Sequence, residues 1–177
     1  LSLHDALPIF TLTLTDQISL QVSGTATIDL VGLLSVEGSF VLTQFDASTL
    51  SFAGAGATGL ALRLQVAGGV PSGAVSGAGT LELVQITNTA GQSWLAVEAT
   101  GLSFGLEFGP LALAVTNGEV KINQAPVGQP LVDWTLPANA LPASTDVTLT
   151  LTDQISLQVS GSASIDLVGL LSVEGSF

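Results

Sequence analysis

The sequence predicts an all-β fold, with mostly antiparallel strands in a sandwich or an extended, barrel-like sheet and about eight to eleven strands in each 137-residue repeat. Three observations predict it. Apolar residues alternate with Thr, Ser and Gln over long stretches. Clusters of Gly, Pro and Asn punctuate those stretches where turns would fall. No window carries apolar residues at the spacing of a helix face.

Taken in order, the opening segment LSLHDALPIF lacks the alternation and differs in style from the rest of the chain. It resembles a translated sequencing-adapter tail, so residues 1–10 are read as a non-native tail or a linker, and His4, the only histidine, enters no mechanism. From there Leu12, Leu14, Ile18, Leu20, Val22, Ile28, Leu30, Leu34, Val36, Phe40 and Leu42 hold even positions, with Thr, Ser and Gln at most odd ones. Such alternation gives a strand one buried and one wet face. A single strand from 12 to 42 would span about 100 Å, so breaks are expected at Thr15-Asp16-Gln17, Ser23-Gly24 and Val31-Gly32. The unbroken parity favours odd-length turns and bulges over two-residue hairpins.

The same parity resumes at Leu50, Phe52, Leu60, Leu62, Leu64 and Val66, with AGAGATG at 53–59 as a bend or a close approach of backbones. Turns are expected at 68–73 and 87–91. The change of parity from Leu81 and Leu83 to Val84 and Ile86 predicts a bulge. Leu102, Phe104, Leu106 and Phe108 form a strand closed by Gly109-Pro110. Asn117-Gly118 is the strongest tight-hairpin signal. Pro126, Pro130, Pro137 and Pro142 make 123–146 linker-like, with a short strand over 131–136.

An internal repeat sets the organisation. Residues 11–40 and 148–177 are identical at 28 of 30 positions, differing only at Thr25/Ser162 and Thr27/Ser164. The division is therefore a tail at 1–10, a complete β unit at 11–147, and the start of a second copy at 148–177. The chain contains no Met, from which we expect Leu1 to be internal to something longer.

Composition excludes several function classes. Fourteen acidic residues against two cations, Arg63 and Lys121, give a net charge of −12, the wrong sign for nucleic acid. With no Cys there is no thiolate nucleophile, zinc–thiolate site or disulfide. Apolar runs of about five residues fall far short of the roughly 20 a transmembrane helix needs. A Ser-His-Asp triad would have to use His4. Paired-carboxylate chemistry has only dispersed candidates, Asp29 with Glu37 or Asp133 with Glu119, and a carboxylate on a wet strand face usually serves solubility. No enzyme and no cofactor are expected.

Calcium is the one metal that suits a carboxylate-rich, cation-poor chain, yet no oxygen-rich calcium loop occurs. The candidate metal ligands are Asp16 and its copy Asp153, acids on the apolar parity. The candidate ligand-stacking residues are Trp94 and Trp134, which suit a sugar ring. Core packing is the competing role for both tryptophans, and an ordinary turn beside Gln17 or Gln154 the competing role for both acids.

The TLTLTDQISLQVSG…IDLVGLLSVEGSF repeat, the Leu–Thr/Ser alternation and the lack of Cys resemble repeat units of very long, adhesin-like secreted bacterial surface proteins. The resemblance implies export, an extracellular or cell-surface location, and a non-catalytic spacer or adhesive role. Its implied partners are neighbouring repeats and a surface polysaccharide or host-cell ligand, and it assigns no binding residue. The alternative is a carbohydrate- or calcium-binding β module. A second alternative is an outer-membrane β-barrel fragment, whose strands also alternate.

Overall fold

Each alternating stretch becomes one long strand. The computed structural model describes residues 9–12, 17–30, 34–69, 75–108, 111–167 and 171–177. Its strands are β1 (Ile9–Leu12), β2 (Ile18–Leu30), β3 (Leu34–Asp46), β4 (Thr58–Gly69), β5 (Val75–Thr87), β6 (Ser93–Phe108), β7 (Leu111–Gln124), β8 (Leu157–Leu167) and β9 (Leu171–Ser176). They form a single nine-stranded antiparallel sheet in chain order. Of the sheet arrangements expected, this is the open, extended one: β1 and β9 are its two outer strands, and it does not close into a barrel.

Among its described residues the unit 11–147 holds six complete strands, β2 to β7, where about eight to eleven were expected. Strand length accounts for the difference. Strands of 12 to 16 residues use chain that shorter ones would have divided. The break expected at Ser23-Gly24 is absent, since β2 runs through it with Gly24 paired to Phe10 on one side and Phe40 on the other. The break expected at Val31-Gly32 lies outside the described residues, and on either side of it Leu30 of β2 pairs with Leu34 of β3.

Parity is interrupted by bulges, at other places than expected. The shift between Ile18 and Leu20 sets Ile18 opposite Phe45 and Leu20 opposite Gln44. One extra residue there puts Ile18 and Leu20 on opposite faces, and the two are 2% and 38% exposed. Asn117-Gly118 makes no hairpin. It lies inside β7, where Asn117 takes a left-handed φ of 53° and the register slips between Thr116 and Glu119. An Asn tolerates that backbone and a bulge needs it, so the Asn-Gly pair serves a bulge instead of a reversal. Gly101, at φ 60°, marks the matching slip in β6. At Leu83-Val84 the register is continuous on both sides, so no bulge accompanies that change of parity. Both faces are apolar there because each has its own role.

One face carries the core, at one end of the sheet only. Phe45, Ala61, Val84, Ile86, Trp94 and Ala96 are buried there beneath the β3–β4 loop and residues 125–152. The AGAGATG loop supplies two of the small buried side chains, Ala53 and Ala57, with Gly54 and Gly56 at positive φ. Phe45 lies across its cross-strand partner Gly59, whose missing side chain gives the ring its place. The turn expected at 87–91 is present: Asn88 Oδ1 accepts the N–H groups of Ala90 and Gln92, and Gly91 takes φ 76°.

The opposite face is a continuous aliphatic surface. Val22, Leu42, Leu62, Leu83, Val97, Ile122 and Leu157 are successive cross-strand partners over seven strands. None of the seven is buried. The leucine parity read as the inward face is thus the uncovered one, and the core uses the other parity.

Residues 123–146 are no linker, and 131–136 form no strand. They cover the core. The prolines deny this segment a place in a ladder, yet an extended chain still buries alternate residues, here Val132 and Trp134. Two short 3-10 turns, Pro137–Asn139 and Ala143–Thr145, bend it back over the sheet. Ser51 joins it to the β3–β4 loop, its N–H donating to Ala138 O and its hydroxyl to Asn139 Oδ1 at 2.6 Å.

Candidate functional site: a charged row under a strap

After the second 3-10 turn the chain straightens into a strap, residues 146–152, which belongs to no strand. Val147, Leu149 and Leu151 point into the core at 8%, 8% and 0% exposure, while Asp146, Thr148 and Thr150 alternate with them and are exposed. An extended segment without a strand neighbour has to find partners for its N–H groups elsewhere. The sheet supplies them as carboxylates.

Arg63, Glu82, Glu98 and Lys121 are consecutive cross-strand partners on β4, β5, β6 and β7. Both cations of the chain therefore stand in one row, flanking two glutamates. Adjacent like charges on a sheet repel, and both the cations and the strap offset that repulsion. Glu98, 2% exposed, accepts the Thr150 N–H at 2.5 Å on one oxygen and the Thr150 hydroxyl at 2.6 Å on the other. Lys121 Nζ lies 3.4 Å from Glu98 and 2.9 Å from Glu119. Glu82 accepts the Thr148 N–H. Arg63 donates to Asp146 Oδ2 at 2.7 Å, and its Nε lies 3.5 Å from Glu82.

Burial sets the electrostatics of the row. Desolvation pushes the Glu82 carboxyl above its ordinary range, against the opposing pull of the Thr148 N–H and Arg63, and Glu98 and Asp146 add to the rise. The hydrogen bond to Glu119 raises the Lys121 ammonium, outweighing its partial desolvation.

A second clasp is uncharged. Asn123, 1% exposed, donates to Val132 O at 2.8 Å and Thr152 O at 3.1 Å, and accepts from Trp134 Nε1 at 3.2 Å. One buried amide thereby ties β7 to both ends of the cover. Trp134 N–H also donates to Leu151 O at 2.9 Å.

The candidates from sequence are scattered. Trp94 and Trp134 are 2% and 5% exposed, and Phe52 meets both rings edge-on at 5.2 and 5.5 Å. They are core residues whose edges also line two depressions, Trp94 one of about 430 Å³ beside Phe52, Leu136 and Asp153, and Trp134 one of about 540 Å³ beside Thr135, Leu141 and Thr150. Asp16 lies outside the described residues. Asp153 is exposed in a turn, where Gln154 Nε2 donates to it at 2.9 Å. Asp133 is held by Thr135 and Glu119 by Lys121, so the structure does not bring them together as a pair. Glu37 lines a shallow depression of about 450 Å³ beyond the cover, while the side chain of Asp29 lies outside those described. Among the described residues no group of three or more His, Cys, Asp or Glu is placed to hold a metal ion, and no helix is long and apolar enough to cross a membrane. Sequence reasoning missed the charged row, although the rarity of cations was a usable signal: Arg63 and Lys121 are too few to be mere surface charge.

Comparison with protein-family models, with curated proteins and with solved structures finds no match to this chain.

Proposed function

We propose that the chain is a non-catalytic structural repeat of a large, secreted, adhesin-like bacterial surface protein, whose units join edge to edge into one growing sheet. The observation that carries this reading is the junction between the copies. β8 and β9, from the second copy, continue the sheet from β7, with ten residue pairs between β7 and β8. The strap also crosses the junction: Leu149 and Leu151 of the second copy fill the core of the first unit. A unit so built is joined to the next by a ladder and by a shared core.

The test is an array series with one, two and three copies of 11–147 placed ahead of 148–177, studied by small-angle scattering. Six strands per unit at about 4.8 Å each extend the sheet by about 29 Å per unit. A maximum dimension growing linearly by that increment supports the reading. Growth with the square root of unit number, as for beads on flexible linkers, refutes it.

A second reading has one observation in its favour. The uncovered face, with Leu20 and Leu60 each 38% exposed and Phe104 43%, would suit contact with lipid as an outer-membrane β-sheet does. Flotation of the refolded chain with phosphatidylcholine vesicles separates the two, since a chain that remains in the aqueous fraction is no membrane element.

A further inference from the structure

The two copies of the repeat lie in different surroundings, and the difference identifies a docking edge. In β8 the edge facing away from β9 is paired with β7: Val159 with Val120, Ser160 with Glu119, and Ser162 with Thr116. The equivalent residues of β2 are Val22, Ser23 and Thr25, 137 positions earlier. Their partners on the same edge are Leu12, Thr11 and Ile9 of β1. Strand β1 therefore stands where β7 stands on the second copy.

The two partners are unequal. Among the described residues β1 offers four paired residues, whereas β7 offers ten and carries a bulge at Asn117-Gly118 that sets its register. Along the stretch that pairs with β7, β2 and β8 differ only by Thr25/Ser162 and Thr27/Ser164, exchanges that leave the backbone ladder alone. Ile9 and Phe10 stand where the second copy has Asp146 and Val147, so this stretch of β1 lies outside the repeated sequence.

We propose that the β2 edge under β1 is the docking edge for β7 of a second copy of the unit, and that β1 is a placeholder which that strand displaces. The partner is a copy whose β7 is not already taken by its own β8. This rests on the repeat reading above and adds the site, its occupant and the strand that guards it. A free edge of paired-strand length invites association with any extended chain, and a short cap limits that until the fitting strand arrives.

The probe is a fluorescent peptide with the sequence of 111–124, titrated against the full chain by anisotropy. Phe10→Pro with Thr11→Pro removes two adjacent β1 amides, one of which must face β2 whatever the ladder's phase. Weakening β1 raises the binding-competent fraction, so the double variant should bind the peptide roughly tenfold or more tighter than the unmodified chain. Hydrogen exchange should place new protection on β2, at 22–29. A peptide lacking Asn117 and Gly118 should lose the interaction, because its two halves fall out of register. Equal binding by the double variant and the unmodified chain overturns the proposal, as does protection on β9 or undiminished binding of the shortened peptide. Linear growth of the array series alongside such a failure would leave the structural-repeat reading intact and remove only the placeholder role of β1.

Discussion

Replacing Glu98 by Gln tests whether a buried carboxylate holds the strap. Glu98 uses its two oxygens for three donors: the Thr150 N–H at 2.5 Å, the Thr150 hydroxyl at 2.6 Å and Lys121 Nζ at 3.4 Å. Gln keeps the shape but has one acceptor oxygen, and its amide nitrogen brings hydrogens into a place already rich in them. The Thr150 hydroxyl can turn to accept, and Lys121 keeps Glu119 at 2.9 Å. What remains is the loss of one charge-assisted bond to a buried strap, about 1–3 kcal/mol, or roughly 4–8 °C in melting temperature if the cost is about 2 kcal/mol. Urea unfolding followed by tryptophan fluorescence is the suitable assay, because Trp94 and Trp134 both lie in the core that the strap closes. Glu119→Gln is the control: Glu119 is 29% exposed, and its pair with Lys121 should be worth under about 1 kcal/mol. A double-mutant cycle with Thr150→Val should return a coupling of at least about 0.5 kcal/mol with E98Q. If E98Q unfolds within about 0.5 kcal/mol of the unmodified chain, or E119Q costs more, the Glu98 carboxylate does not hold the strap.

Three further outcomes are expected. Gly59→Ala places a methyl inside the ring of Phe45, which is 1% exposed and has nowhere to move, so a loss of about 1–3 kcal/mol is expected by thermal melting. An unchanged melt would mean that Phe45 does not lie across Gly59. Glu82 has a raised pKa in the folded state, so the folded chain binds more protons than the unfolded one between pH 4.5 and that raised value. Its contribution to stability therefore falls as pH rises through that window; stability curves of E82Q should lack this slope, and an identical slope in both proteins would contradict the burial of Glu82. Ile165 and Val173 are exposed cross-strand partners on β8 and β9, so Ile165→Lys with Val173→Lys should lower self-association in sedimentation runs at high concentration. Association that persists undiminished places the contact elsewhere.

The strands were legible because period two is enforced by covalent geometry, and it survives in β2 through β8 wherever no bulge intervenes. The side that would be covered was not legible. Alternation separates two faces and leaves open which one meets the rest of the chain. Here Leu42 and Leu62 lie on the open side while Thr43 and Ala61 lie in the core. The cover is hidden in the sequence for a related reason. Four prolines between 126 and 142 exclude a ladder, but exclusion from a ladder does not mean exposure. Val132, Trp134 and Leu151 are buried by an extended chain that satisfies its backbone through Asn123 and Glu98. Those partners lie 9 and 52 positions away in sequence, and only the register of the sheet brings the second within reach. Asn117-Gly118 failed as a hairpin signal because the same left-handed backbone serves a bulge, and the local sequence does not distinguish the two.

The repeat in sequence and the unit in space have different boundaries. Counting by identity, the first unit ends at Val147 and the second begins at Thr148. Counting by burial, Leu149 and Leu151 belong to the first unit, where they are 8% and 0% exposed, and the carboxylates that receive the Thr148 and Thr150 N–H groups are on its β5 and β6. The same TLTL tetrapeptide opens the first copy, yet there Thr11 and Leu12 are ladder partners of Ser23 and Val22. Identical residues thus take a strand in one place and a strap in the other, so their own propensity decides neither. The surroundings differ instead: Thr148 meets Glu82 and Thr150 meets Glu98 beside the Trp94 cluster, whereas Thr11 lies against Ser23 of β2. In this chain the opening residues of the second copy therefore act as the last structural element of the first unit, whose core is completed by residues of both copies.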